Sequence, residues 1–303
     1  MPAKGRLVLW LLALGVPLLL LVAWWPSGKP KSRPTLPNPN GYDYFVKAGG
    51  ALTGIWTNRM LSTVPLPDLQ AYVAANQASL ELAHEGLKYG SLSHFNPAYH
   101  AATKTYHFGD ALLPLKRLGY LMSGQGRLAE LEGDLAAAVD GYTTAMRYAQ
   151  EACRGGVTVE RWELMRVEQV SLTELRRLLP LSEAANVRRS LIGLQKLDAS
   201  HEQPSVNIES EEAWISQAFP VWRRVMLQFH PTSRSGLRQH RHNLVNDVNA
   251  LQVDRRRAIV EAAARLFELE KGRRPTGYAD LVPAYLPAAP LDPTTGKEIA
   301  HPF

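Results

Sequence analysis

The chain has 303 residues, of which 46% are hydrophobic and 20% charged, a composition typical of a folded globular protein and not of a disordered one. Its 34 basic and 28 acidic residues give a net charge of +6, too diffuse along the chain to favour nucleic-acid binding. The single cysteine, Cys153, excludes an intramolecular disulfide, and its helical surroundings predict a small packed side chain rather than a reactive thiol.

An apolar run without charges, residues 7–25, predicts a membrane anchor at the amino terminus. A helix of this length covers about 28 Å, close to one hydrocarbon core, and Trp24 and Trp25 fit an interfacial aromatic belt. A cleaved signal peptide is the alternative, but the run exceeds the usual apolar core of such peptides and no small-x-small cleavage site follows it. We therefore expect an uncleaved single-pass signal-anchor that contacts membrane lipid through residues 7–25.

The charges that flank this run nearly balance, with Lys4 and Arg6 before it and Lys29, Lys31 and Arg33 after it. The positive-inside rule therefore discriminates little between the two orientations. A very short tail ahead of a signal-like segment usually stays inside. We expect a cytoplasmic amino terminus, a location in the inner (cytoplasmic) membrane, and an extracytoplasmic body.

Residues 26–40, PSGKPKSRPTLPNPN, predict a Pro/Lys-rich linker between the anchor and the body. Proline at this density favours extended polyproline II, which could span up to roughly 45 Å. The segment is either a disordered linker or a spacer across the membrane surface or cell wall, and the two interpretations are compatible.

From residue 41 onward helical periodicity dominates and predicts an all-α body over residues 41–271. The predicted helices lie at 66–89, 111–122, 126–150 (a hairpin), 157–179, 182–197, 211–229 and 239–271. Ser182 is the expected N-cap of its helix. The polar break at 198–210 predicts either a surface loop or a boundary between two helical lobes, and a second break, HPTSRSG, ends at Gly236.

The hairpin carries Gly126, a Gly133-Asp134 turn, and then Ala138, Tyr142 and Ala145 at intervals of four and three. This pattern resembles a single tetratricopeptide repeat, in which small residues let two helices approach and an aromatic residue fills the gap. The resemblance covers about 30 residues and implies one helical hairpin within an irregular helical array or bundle, packed on neighbouring helices.

Two sets of polar residues are candidates for a site. Arg255, Arg256 and Arg257 spread around the last helix and predict a solvated rim. At least one of them must either snorkel to solvent or pair with a carboxylate such as Glu211 or Glu212, and an anionic-ligand site is the less favoured alternative. Two groups of histidines, with Asp110 near the first, lack a common helix face: His84, His94, His100 and His107, then His230, His240 and His242.

No motif for catalysis or phosphate binding occurs in the sequence. We therefore predict no catalytic, cofactor-binding or metal-binding residue, no cofactor, and a protein that is not an enzyme.

The last part of the chain, residues 272–303, predicts a proline-rich docking tail. A helix ends in Leu-Glu-Lys-Gly-Arg-Arg-Pro, and an Asp-Leu-Val turn, Tyr-Leu-Pro and Asp-Pro-x-x-Gly follow. This pattern resembles the carboxy-terminal module of bacterial pseudopilin-like proteins, and the tail of bacterial membrane-anchored helical proteins with the same ending. The resemblance implies a tail that packs back on the long helix. The calcium-binding acid of some pseudopilin loops corresponds to Asp292, but no cluster of further acids accompanies it, and we predict no metal there.

The tail offers an apolar strip that we expect to lie against the 244–269 face of the last helix: Leu281, Val282, Tyr285, Leu286 and Leu291. The amino terminus lacks the Gly-Phe-Thr-Leu-x-Glu site at which prepilins are processed. The sequence therefore predicts a non-enzymatic scaffold or binding module of the bacterial envelope with an unknown protein partner there. The alternatives are a subunit of a pseudopilin-related secretion or assembly system, and a membrane-anchored hydrolase.

Overall fold

The computed structural model describes residues 36–54, 63–97, 99, 110–218 and 231–300. Within these ranges the chain is all-α and contains no β-strand, which confirms the fold class predicted from periodicity. The described residues include no helix that is long and apolar enough to cross a membrane. The predicted anchor at 7–25 lies outside these ranges.

The helices follow one another along the body with short turns between most of them. In chain order they are α1 (Gly41–Gly50), α2 (Leu66–Ala75), α3 (Gln77–Gly86), α4 (Leu112–Leu131), α5 (Leu135–Glu151), α6 (Thr158–Leu178), α7 (Ala184–Ala199), α8 (Pro204–Ala218), α9 (Pro231–Lys271) and α10 (Tyr278–Leu281). The helices α4, α5 and α6 pack on one another, α1 packs on α3 and α4, and α9 packs along α7.

Two apolar clusters form the core, and both include α5 and α6. The first joins α1, α2, α3 and α4 to the second half of α5 and the first half of α6. The other joins the remaining parts of α5 and α6 to α7, α9 and the tail. Because α5 and α6 contribute side chains to both clusters, the residues from Leu36 onward form one compact unit.

The body begins at Asn40, which is 5% exposed and fixes the start of α1. Its Oδ1 accepts hydrogen bonds from the N–H groups of Tyr42, at 3.2 Å, and Leu92, at 2.9 Å. Its Nδ2 donates to the carbonyl of Leu92 at 2.9 Å. One side chain therefore caps a helix and pairs with both backbone groups of a residue in a distant loop.

The single helix predicted over 66–89 is wrong, because the structure breaks it at Asn76 into α2 and α3. The Asn76 side chain accepts from the N–H of Thr53 at 2.7 Å and donates to the carbonyls of Thr53, at 3.1 Å, and Tyr72, at 2.9 Å. An asparagine that bonds to the backbone in this way offers an alternative to the regular helix ladder. The break is therefore set by a contact with residue 53, which periodicity does not reveal.

The predicted hairpin is confirmed, although its first helix is longer than expected. Helix α4 runs unbroken through Gly126, and the turn places Gly133 at φ +88° and Asp134 as a cap that accepts from the Ala137 N–H at 2.9 Å. A Cβ at Gly141 would lie 2.7 Å from the Gly126 Cα, so the two helices cross backbone to backbone. Glycine on both helices is what allows this close approach.

Three boundaries predicted in the second half are wrong. Ser182 is not an N-cap, because Glu183 precedes α7 and the Ser182 hydroxyl donates to the Leu178 carbonyl at 2.8 Å. The break at 198–210 shrinks to residues 200–203, and residues 231–236 belong to α9 instead of a loop. Both helices, α8 and α9, begin with proline, whose fixed φ and missing N–H suit the first helical position. Whether 198–210 separates two lobes stays a prediction.

The tail lies against α9, as the apolar strip predicts. Leu281 and Leu286 are 0% and 1% exposed in the cluster that contains α9, and the Tyr285 ring meets Phe267 edge-on at 5.7 Å. The Tyr285 hydroxyl donates to Glu270 at 2.7 Å, and its carbonyl accepts from Gln195 of α7 at 3.2 Å.

Leu291 is the exception in the predicted strip, since it is 47% exposed. It pairs with Glu298 in a lone antiparallel bridge that closes the turn at Asp292. The Asp292 carboxylate accepts from the N–H groups of Thr294, at 2.7 Å, and Thr295, at 3.2 Å. These hydrogen bonds from its own turn hold the pKa of the Asp292 carboxyl below its usual value. The role of Asp292 is therefore to stabilise the turn.

Leu281→Ala should lower the free energy of unfolding by about 2–5 kcal/mol, because it removes apolar atoms from a fully buried position. Urea titration of the full chain, followed by circular dichroism, measures this change. Leu291→Ala is the matched control in the same tail and should shift stability by about 0.5 kcal/mol or less. Equal losses for the two variants would contradict the docking of the tail on α9.

Candidate functional site

The turn between α5 and α6 lies at the centre of a buried network of polar side chains. Glu160, which is fully buried in the first turn of α6, accepts from the Val157 N–H at 3.1 Å. Its carboxylate also accepts from the Tyr42 hydroxyl of α1, at 2.9 Å, and from the Ser93 hydroxyl, at 2.8 Å. Burial raises the pKa of Glu160 to about 7, and these hydrogen bonds partly oppose that rise.

Arg161, the next residue, is 1% exposed and has no carboxylate within 4 Å among the described residues. Its guanidinium donates to the Cys153 sulfur at 3.5 Å and to His201 Nδ1 at 3.2 Å. Negative charge comes from Glu168 and Glu202 at longer range. Arg161 therefore holds neutral partners in place while more distant carboxylates compensate its charge.

These surroundings make the cysteine and the histidine unreactive near neutral pH. Burial raises the pKa of the Cys153 thiol to about 12, with Arg161 opposing the rise, which confirms the predicted packed side chain. Burial, together with the charges of Arg161 and Arg255, lowers the pKa of His201 to about 2. The imidazole is thus neutral, and its Nδ1 accepts a hydrogen bond from Arg161.

The start of α8 closes the network from the other side. Glu202 accepts from the Gly155 N–H at 2.9 Å, and burial raises the pKa of this carboxyl. Asn207 donates to the Gly156 carbonyl at 3.1 Å and to Glu202 at 3.3 Å. The tight turn at Gly155, where φ is +64°, is therefore held by Glu202, just before α8, and by Asn207 of α8.

A second part of the network joins α6 to α9 through an ion pair. Glu168 and Arg255 are both 0% exposed and contact each other directly, and Gln150 donates to the same Glu168 oxygen at 3.0 Å. Asp198 of α7 lies 3.5 Å from Arg255 and 2.9 Å from Arg256.

The predicted partners of the arginine triplet, Glu211 and Glu212, are therefore wrong, since both lie beside Arg241. The predicted solvated rim holds for Arg257, which is 50% exposed and pairs with Asp254. It is wrong for Arg255, which is buried in the core of the fold.

The histidines singled out from the sequence do not converge where the structure describes them. His84 lies 3.3 Å from Gln125, His94 lies beside Asp43, and His240 lies 2.9 Å from the Thr158 hydroxyl. His242 lies 3.1 Å from Asn246 on its own helix. The described residues contain no group of three or more potential metal ligands. His100, His107 and His230 lie outside them.

The surface carries an open depression where the α4–α5 turn meets the start of α7. It measures about 630 Å³, and we refer to it as the acidic depression. Its lining includes Glu132, Asp134, Leu135, Leu181, Glu183 and Asn186. A smaller depression of about 380 Å³ lies between α9 and the tail turn, beside Asp254, Arg257 and Asp292.

Sequence reasoning missed both the buried network and the acidic depression. Glu160, Arg161 and Glu168 stand three or four residues from Leu164, so helical spacing places them on the buried face of α6. Their charge nevertheless predicts exposed positions, which is why they were missed. Comparison of the chain with protein-family models, with curated proteins and with solved structures found no match. What the site can do therefore follows from its geometry: the buried groups bond to one another and crosslink helices, while the depression is open to a ligand.

Arg255→Met should lower the free energy of unfolding by about 3–5 kcal/mol, because it leaves the Glu168 carboxylate buried without a cation. The double variant Arg255→Met/Glu168→Leu removes both charges and should regain a large part of that loss. Arg257→Met, at an exposed position of the same helix, is the control and should have little effect. Urea unfolding of the natural protein and the three variants measures these changes. A double variant as unstable as Arg255→Met would contradict this role of the ion pair.

The raised pKa of Glu160 predicts that this residue stabilises the fold fully below about pH 4.5 and loses that contribution as the pH rises through about 7. His201, whose pKa is lowered, acts in the opposite direction, since stability is lost as the pH falls below its ordinary pKa of 6.5. Glu160→Gln isolates the first effect. The stability of the natural protein relative to this variant should fall by about 3 kcal/mol between pH 4.5 and 8, measured as urea midpoints. A difference that does not change with pH would show that Glu160 titrates normally.

Proposed function

We propose that the protein is a membrane-anchored helical scaffold or binding module of the bacterial envelope, with its body outside the cytoplasm, and that it is not an enzyme. One observation carries this proposal. Among the titratable groups at the centre of the fold, Cys153 and Glu160 are buried and His201 is half-buried, and each is hydrogen-bonded in a network that joins helices. Groups that are bonded in this way stabilise the fold. The part of the body that a partner can reach is its surface.

The membrane location is supported by the sequence ahead of the body. Residues 7–25 have the length and the lack of charge that a membrane-spanning helix needs, and residues 26–40 supply a proline-rich spacer. The single buried cysteine is compatible with an extracytoplasmic body.

A subunit of a pseudopilin-related secretion or assembly system is the second candidate. The contact of Leu281 and Leu286 with the cluster around α9 favours it, because the tail of the pseudopilin-like module packs on its long helix in the same manner. The missing prepilin processing site argues against assembly into a pilus by the usual route.

Reporter fusions test the proposed topology. Alkaline phosphatase fused after Phe303 should be active and green fluorescent protein fused there should be dark, because only the phosphatase matures outside the cytoplasm. The same reporters fused after Asn40 are the matched control and should agree with those at Phe303. A fluorescent, phosphatase-inactive pair of fusions at both positions would place the body in the cytoplasm and overturn the envelope function.

Crosslinking in intact cells, followed by purification of the membrane-bound chain, tests the binding function. We expect a reproducible adduct with at least one envelope protein that disappears when residues 1–25 are deleted. Recovery of secretion components favours the second candidate instead. Recovery of the chain without any adduct contradicts a scaffold or binding role.

A further inference from the structure

Three of the residues that line the acidic depression are carboxylates without an ion pair in the described part of the chain. Glu132, Asp134 and Glu183 line it, and none of the three forms an ion pair with a described residue. Close by, Glu130 shows the usual arrangement, since it contacts both Arg127 and Arg177. In a chain with a net charge of +6, three unpaired carboxylates around one depression create a local negative potential.

Two of these carboxylates use only one of their two oxygens in a hydrogen bond within the described ranges of the protein. Glu132 accepts from the Gln70 amide at 3.2 Å through one oxygen, and Asp134 caps α5 by accepting from the Ala137 N–H at 2.9 Å through one oxygen. Glu183 precedes α7 and makes no capping hydrogen bond with its side chain. Each group therefore retains an oxygen that can accept from a cationic donor.

Asn186 is an independent sign of a ligand. This side chain is only 7% exposed, lines the acidic depression, and makes no hydrogen bond with any described residue. Its amide still reaches solvent at the depression, so its donors and its acceptor are available to a ligand there. An asparagine amide offers donors and an acceptor side by side, which matches the N–H and C=O of a peptide backbone.

Leu181 supplies the apolar component. It is 67% exposed, the most exposed of the large hydrophobic side chains described, and it lines the same depression. It does not lie on a loose loop. The turn Leu179–Leu181 is tied down by the Ser182 hydroxyl, which donates to the Leu178 carbonyl at 2.8 Å, and by Arg265, which donates to the Pro180 carbonyl at 3.3 Å.

We propose that the acidic depression binds an extended peptide segment of a partner protein in which lysine or arginine side chains flank an apolar one. The cations meet Glu132 and Glu183, the backbone meets Asn186, and the apolar side chain meets Leu181. A small polyamine would use the carboxylates alone and leave the amide and the leucine without a role. The inference rests on the proposed binding function and names the class of partner for it.

The test is a binding titration of the full-length protein in detergent micelles, with fluorescein-labelled Lys-Leu-Lys-Leu-Lys amide as the probe and fluorescence anisotropy as the measurement. We expect saturable binding that weakens as NaCl rises from about 50 to about 300 mM, because the charges involved are exposed. Empty micelles provide the blank. The matched peptides Glu-Leu-Glu-Leu-Glu and Lys-Ser-Lys-Ser-Lys should bind at least about tenfold more weakly, because each lacks one of the two complementary features.

Variants assign the binding to this surface. Glu132→Gln/Glu183→Gln and Leu181→Ser should each weaken binding by about three- to tenfold, whereas Glu81→Gln on α3 and Leu113→Ser on α4, at exposed positions elsewhere, should not. Asn186→Ala should weaken binding without lowering the urea midpoint, since its amide has no partner within the described chain. Asp134 is left unchanged because it caps α5.

Equal binding to all variants, no binding at all, or equal binding of the leucine and serine peptides with full displacement by spermidine would each overturn the inference. The outcomes distinguish a failure of this inference from a failure of the proposed function. An envelope partner found by crosslinking together with an unresponsive depression refutes only this surface. Peptide binding at the depression together with cytoplasmic reporters refutes only the envelope location.

Discussion

The contact between Glu168 and Arg255 is the constraint on which the second half of the structure depends. Both side chains are fully buried, and they join α6 to α9 in the interior. Removing two charges from water is costly, and the cost is offset only when both charges are bonded on several sides. Here Gln150 and Asp198 supply additional contacts, while the second Glu168 oxygen and Arg255 Nε have no partner among the described residues. Residues of α5, α6, α7 and α9 therefore meet at this pair. Such an arrangement favours one relative position of these helices over alternatives that apolar packing would tolerate almost equally well.

The polar groups of the α5–α6 turn likewise join helices, beside the other apolar cluster. Glu160 connects Tyr42 of α1 and Ser93 to the start of α6, and Asn207 connects the turn to α8. The reactive residue types of the body thus serve its rigidity. The acidic depression, where we propose that a partner binds, lies outside this network.

The sequence was sufficient for features that depend on local pattern, and insufficient where a distant partner decides. Periodicity predicts the helices, the Gly133-Asp134 turn predicts the hairpin, and the apolar strip predicts the docked tail. The break at Asn76 depends on Thr53, 23 residues away, and the burial of Arg255 depends on Glu168, 87 residues away. Neither contact can be predicted from a stretch of sequence as short as one helix. The acidic depression is similar, because its lining residues near 132 and near 183 come together only through the packing of the hairpin on the neighbouring turn.

The double hydrogen bond between Asn40 and Leu92 has a mechanical consequence. Asn40 is the last residue of the predicted linker, and its side chain is held by both the N–H and the carbonyl of Leu92, in a loop that lies far along the chain. Tension applied to the chain ahead of residue 40 would reach these two bonds at the same time, and they would share it before α1 could unwind. A protein tethered at that end would therefore meet a pulling force at the first buried residue that the structure describes.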